Sequence, residues 1–182
     1  MTNVKVVLTY RDYAALPNDG RRYEIHDGEL SVTPAPGRTH QHVVLRLGAA
    51  LDAHVFANSL GEVYIAPFDV ILAETTIVQP DIVFVANERL AIFTERGAEG
   101  APSLAIEVLS PSTAHIDRST KLQLYVRSAV PYSWIVDPER RRIEVYRLVA
   151  GVYDGPETFD DDLVDVPPFD GLRLNPTSLW VH

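Results

Sequence analysis

Two short apolar runs in the middle of this chain each carry one acid. Asp81 follows Pro80 and opens Asp81-Ile82-Val83-Phe84-Val85. Glu107 interrupts Leu104-Ala105-Ile106-Glu107-Val108-Leu109. Both runs read as buried strands, and a carboxylate inside such a strand is costly to desolvate without a partner. Taken singly, Asp81 reads equally well as a strand-opening residue tied down by local hydrogen bonds after the proline, and Glu107 as a buried acid paired with an arginine. Taken together, two buried acids in one small fold suggest a shared ligand, of which a divalent cation is the simplest. Hard cations take oxygen ligands, and the backbone carbonyl of Val108 would add to the two carboxylates. Lys121 lies one loop further on, on an expected helix, where an ammonium is suited to chemistry at that ion.

The 182 residues suit one domain with a sizeable core. No apolar stretch approaches the roughly 18 residues that span a bilayer. The N-terminal residues lack an extended signal-peptide core, so a cytoplasmic address is the expectation. The absence of cysteine excludes disulfides and thiolate metal sites. Sixteen basic against 25 acidic residues give a net charge of −9, whereas a sequence-independent nucleic-acid binder normally presents a basic surface. The charge is uneven, however. Glu157, Asp160, Asp161, Asp162 and Asp165 crowd the C-terminal part, and Arg140-Arg141-Arg142 form one compact basic run after Asp137-Pro138-Glu139. That run reads first as a solvated hairpin turn and second as a phosphate-contacting patch.

Residues 9–16 predict a short helix, with Thr9 as N-cap and Pro17 as stop. Strands at 22–26 and 29–33 flank Asp27-Gly28, a strong hairpin signal. Pro34, Pro36 and Gly37 make a loop. Val43, Val44, Leu47, Ala50, Leu51 and Val55 then recur at helical spacing through 39–58. Strands are expected at 62–65, 68–72, 81–85 and 104–109, with a helical turn at 87–93 and a polar loop at 95–102. A second helix at 117–128 precedes strands at 132–136 and 143–148, and the C-terminus reads as short strands and turns. The expected fold is a mixed α/β domain around one central sheet, with additional N- and C-terminal strands. Asp117 and Lys121, four apart, share a helix face. Asp117 reads either as a surface or helix-end acid or as a support beside the strand acids.

These residues resemble the PD-(D/E)XK restriction-endonuclease-like superfamily. Pro80-Asp81 matches its first half, and Glu107-Val108-Leu109 its second, with Leu109 in place of lysine. The chain is more specifically similar to the Uma-type family of small restriction-endonuclease-like proteins. The likeness runs through Arg22-Tyr23-Glu24-Ile25-His26-Asp27-Gly28-Glu29-Leu30, His40-Gln41, Glu107 to Thr113, Asp117, Lys121, Tyr125 and Trp134-Ile135-Val136-Asp137-Pro138. In that branch the lysine comes from the following helix. The resemblance implies a mixed central sheet flanked by helices and a magnesium or manganese site at Asp81 and Glu107, with Lys121 as the catalytic lysine. Glu24 either joins the metal shell or faces solvent from its hairpin strand. His40 either lines the cleft or simply opens its helix beside Thr39. The implied activity is hydrolysis of DNA phosphodiester bonds. A non-catalytic scaffold of the same fold and a hydrolase of another phosphoester are the alternatives. A two-fold homodimer is the expected assembly.

Overall fold

The computed structural model describes residues 6–111, 114–160 and 163–181. Residues 1–5, Ser112 and Thr113 of the loop motif, Asp161 and Asp162 of the acidic crowd, and His182 lie outside the described residues.

The first helix, α1 (Tyr10–Ala14), is started by Thr9. The Asp12 carboxylate accepts the Thr9 backbone N–H at 2.8 Å, which satisfies a donor the helix itself leaves open. The strands β1 (Arg22–His26) and β2 (Glu29–Thr33) form an antiparallel hairpin. Its turn residues Asp27 and Gly28 both have positive φ, 52° and 84°, as the tightest hairpin turns require. The long helix α2 (Arg38–Ala57) buries Val43, Val44, Leu47, Leu51 and Val55.

Nine further and mostly short strands follow up to residue 149: β3 (Gly61–Ile65), β4 (Val70–Ala73), β5 (Thr76–Val78), β6 (Ile82–Ala86), β7 (Phe93–Thr94), β8 (Gly97–Glu99), β9 (Leu104–Val108), β10 (Tyr132–Asp137) and β11 (Arg142–Val149). The last strand is β12 (Val152–Phe159). A 3-10 turn at Asn87–Ile92 occupies the position expected for a helical turn. Between β9 and β10 a helix runs through Ala114–Ile116, widens into a π-turn at Asp117–Lys121, and continues as α-helix over Leu122–Arg127. Pro176–Leu179 make a short C-terminal helix. Among the described residues no helix is long and apolar enough to cross a membrane.

The mixed α/β class holds, but the strands divide into two six-stranded sheets in place of one central sheet. The inner sheet has the order β12-β11-β10-β9-β6-β3 and the outer sheet β2-β1-β5-β4-β8-β7. The expected polar loop at 95–102 in fact contributes β8, which lies parallel to β4 and buries Ala98. The outer sheet is built from pieces of two to five residues, too short for a period of two to register in the sequence.

Alternation along the inner strands sends side chains to two different layers. Ile82, Phe84, Leu104, Ile106, Trp134 and Val136 face α2 and the C-terminal segment, meeting Leu47, Leu51, Leu163, Phe169 and Trp180. Val83, Val85 and Ala105 face the other way, toward Val70, Val78 and Ala98 of the outer sheet and Leu124 and Tyr125 of the π-turned helix. Each fully buried Val, Leu or Ile contributes about 1.5–3 kcal/mol. By the same parity Asp81 and Glu107 point into the second layer, between the two sheets.

Candidate active site

β6 and β9 are antiparallel neighbours with Ile82 paired to Ile106. The next rung of that register sets Asp81 against Glu107. Facing pairs share one side of a sheet, so two acids far apart in sequence meet at one end of the layer between the sheets. Asp81 is 3% exposed and Glu107 1%.

Their partners come from β9 itself and from three other elements, β1, α2 and the π-turned helix. Arg22 of β1 donates from Nη1 to Asp81 Oδ1 at 2.8 Å. Asp81 Oδ2 accepts the Val108 backbone N–H at 2.8 Å and lies 3.0 Å from His40 Nε2 of α2. A carboxylate only accepts, so Nε2 is the ring nitrogen that carries the proton. Lys121 donates to Glu107 Oε2 at 3.1 Å, and the Tyr125 hydroxyl donates to Glu107 Oε1. The Lys121 ammonium also lies 3.0 Å from Glu24 Oε1 and 3.8 Å from Asp117 Oδ1. Glu24 accepts the Gln79 backbone N–H at 2.6 Å and meets His26 Nε2 at 3.2 Å.

Arg22, Glu24, His40, Asp81, Glu107, Asp117 and Lys121 thus line one cleft of about 200 Å³. Several of the bland alternatives give way here. Glu24 is buried rather than facing solvent, and Asp117 is 3% exposed rather than a surface acid. His40 starts α2 as a site neighbour, in contact with Asp81. The arginine of the cluster bonds Asp81, while Glu107 has a lysine and a tyrosine. Leu109, where the motif has lysine, is a buried apolar side chain. The π-turn carries Asp117 and Lys121 inward instead, a helix irregularity of the kind often found at working sites.

Sequence reasoning missed Arg22, Tyr125, His26 and Gln79 as partners. Three of these had a signal. Arg22 and His26 stand two before and two after Glu24 on one strand, and Tyr125 stands four after Lys121 on one helix, so each shares a face with a candidate.

The cluster holds four buried carboxylates, Glu24, Asp81, Glu107 and Asp117, against two fixed cations, Arg22 and Lys121. Burial pushes every acid up, and the outcome depends on what opposes it. For Glu24, Lys121, His26, Arg22 and the Gln79 N–H outweigh burial, and its carboxyl falls well below the usual range. For Asp81 the His40 hydrogen bond and Arg22 outweigh burial and bring it to about 2. For Glu107 burial wins. Lys121 opposes it, but Asp117, Asp81 and Glu24 add to it, and the group is pushed up to about 8. Burial works to lower Lys121, but Glu107 and Glu24 overcome it and hold the amine above its ordinary value. The Tyr125 phenol is raised well above its own by burial and by Glu107. Positive charge runs out at Glu107.

Among the described residues no three Asp, Glu or His side chains converge as a ready-made cation cage. The oxygen donors on offer are the two facing carboxylates and the Val108 carbonyl. A residue in an antiparallel ladder directs its N–H and C=O to the same side. The Val108 N–H points at Asp81, so its carbonyl lies on that edge of β9.

Two acids on neighbouring strands of a mixed sheet, with a lysine from the next helix, are the arrangement that the resemblance to the restriction-endonuclease-like class implies. The family model Uma2, described as "Putative restriction endonuclease", matches residues 10–177, and the chain belongs to this family. No curated protein matches the chain. A crystal structure from Anabaena variabilis, described as a putative nuclease belonging to DUF820, aligns with a TM-score of 0.77 at 21% identity, covering 95% of this chain and 97% of that one. At that identity the likeness speaks for the fold.

Proposed function

We propose that this protein is a metal-dependent endonuclease that hydrolyses phosphodiester bonds in DNA. The observation that carries the reading is the charge imbalance of the cleft: four buried carboxylates meet two cations, with Glu107 the acid left short. With all four carboxylates ionised, Glu107 included, one divalent cation matches the deficit of two charges. Magnesium and manganese suit oxygen donors of this type, often one or two carboxylates completed by water. Asp81, Glu107 and the Val108 carbonyl are the residues that would hold the ion. When bound, it lowers the pKa of a water and stabilises charge on a phosphoryl oxygen.

The remaining residues act on position and charge. Arg22, His40 and the Val108 N–H fix both oxygens of Asp81. Tyr125 orients Glu107 from its apolar side. Lys121 remains a cation, because Glu107 and Glu24 hold its proton. It therefore serves as a fixed positive charge beside a phosphate gaining negative charge, not as a base. Glu24 Oε1 is taken by Lys121 and the Gln79 N–H, and Oε2 by His26, so Glu24 acts by holding the lysine.

Despite the net charge of −9, the rim of the site carries arginines, interleaved with Asp137 and Glu139. An adjoining hollow of about 360 Å³ shares Gly37, His40, Ser110 and Pro111 with the cleft and is lined by Arg38, Arg118 and Arg140. Asp137 accepts from Arg118 at 3.2 Å and from Arg140 at 2.8 Å, which holds both guanidinium groups beside the cleft. That flank suits a phosphate backbone.

The test is cleavage of supercoiled, linear, branched and single-stranded DNA, and of RNA, with magnesium or manganese. Wild type is run beside Glu107→Gln, with folding of the variant verified. Cleavage by wild type and a loss of at least about 100-fold in the variant is expected. Equal cleavage by both removes the assignment. A second reading, hydrolysis of a smaller phosphoester, draws on the modest volume of the cleft, about 200 Å³, against roughly 300–1,000 Å³ for common ligand pockets. Turnover of a small phosphodiester without any polynucleotide cleavage would select it.

A further inference from the structure

The two cations of the cleft are not equally engaged. Lys121 is surrounded by Glu24, Glu107 and Asp117, all within 3.8 Å of its ammonium. Arg22 spends one nitrogen on Asp81. Its Nη2 stands 3.9 Å from Glu24 Oε1, beyond hydrogen-bond reach. Both Nη2 and Nε are buried and make no hydrogen bond among the described groups. A buried charged donor without an acceptor is costly, and such groups in a folded protein call for an explanation.

Position supplies one. Arg22 lines the acid cleft and also a neighbouring hollow of about 570 Å³ that bears Tyr10, Tyr13 and Tyr23. It therefore stands where a ligand reaching the two strand acids would pass. A guanidinium presents its N–H groups in a planar fork that matches two oxygens of a phosphate. Nε and Nη2 are one edge of that fork.

We infer that Arg22 binds the phosphoryl oxyanion of the substrate through Nε and Nη2 while Nη1 stays on Asp81. This rests on the phosphodiesterase reading and adds a substrate-touching residue to it. Arg22 would carry ground-state binding of the phosphate, and Lys121, held among the carboxylates, the fixed charge beside it.

Two variants separate this from a purely structural ion pair. Arg22→Lys retains a cation for Asp81 but lacks the fork, and Arg22→Gln removes the charge. Inorganic phosphate is titrated calorimetrically into each protein in magnesium buffer, which needs no turnover. Cleavage KM and kcat and manganese affinity are measured in parallel, with thermal melts to verify folding. The expected result is phosphate binding by wild type, weakened roughly 10–100-fold in both variants. KM should rise by a similar factor, with phosphate affinity in Arg22→Lys falling further than its manganese affinity. Wild type that binds no phosphate, or Arg22→Lys with wild-type phosphate affinity and KM, overturns the inference. If Glu107→Gln cleaves as well as wild type, the assignment of the metal site to Glu107 falls, and the phosphate titration still decides Arg22.

Discussion

Glu107 concentrates the chemistry of this fold at one side chain, and its burial has a measurable pH signature. Its carboxyl is pushed from the ordinary 4.5 to about 8, by burial first and then by Asp117, Asp81 and Glu24. A raised acid binds its proton more tightly folded than unfolded, so this contribution to stability is fully present below 4.5 and is lost as the pH rises through about 8. In chelator, the stability of wild type relative to Glu107→Gln should therefore fall between those limits in urea titrations. Asp81 has the opposite sign: its lowered carboxyl contributes above about 4 and is lost in stronger acid. Lys121→Met should cost about 3–5 kcal/mol in metal-free protein, because it strands Glu24 and Glu107 without their shared cation. Added manganese should restore part of that loss, and a variant as stable as wild type in chelator would contradict the charge accounting. Tyr125→Phe, which removes one donor from Glu107, should cost about 1–3 kcal/mol with the fold retained.

At the scale of elements, the β1–β2 hairpin carries Arg22 and Glu24 into the site, and its turn is the weak point. Gly28 has a φ of 84°, and an added Cβ would stand 2.4 Å from the Val7 side chain. Gly28→Ala should therefore destabilise by about 1–3 kcal/mol in urea titrations and lower the occupancy of the site along with it. This hairpin and α2 were legible in the sequence, because Asp27-Gly28 and the spacing from Val43 to Val55 are local signals with one physical reading. The outer sheet was not. Thr76-Ile77-Val78 and Gly97-Ala98-Glu99 acquire strand geometry from β4 between them, and nothing within three residues encodes that. The same limit hid the pairing of Arg22 with Asp81, though its place on the face of Glu24 was readable. Its bond to Asp81 spans 59 positions and exists only because the outer sheet lies over the inner one. Asp81 and Glu107 stood out for the converse reason: a lone acid in an apolar run conflicts with its own surroundings, and such conflicts tend to mark working residues.

For the whole molecule, the question is how a chain of net charge −9 engages a polyanion. Its cations are placed locally, with Arg38, Arg118 and Arg140 beside the cleft. Affinity for DNA should be modest and strongly dependent on salt. Arg38→Gln and Arg140→Gln should each weaken binding about equally across sequences and reduce the salt slope by about one, as read from anisotropy titrations between low and physiological salt. Two acids of the C-terminal part belong to another region: Glu157 and Asp160 lie on and just after β12, the far edge of the inner sheet, four strands from β6. The most direct test of the central claim is anomalous diffraction from crystals soaked in manganese. The account predicts a single strong peak within about 2.5 Å of carboxylate oxygens of both Asp81 and Glu107, lost in Glu107→Gln. A soaked, well-ordered crystal with no peak between these two acids, or with its manganese bound elsewhere, would contradict it.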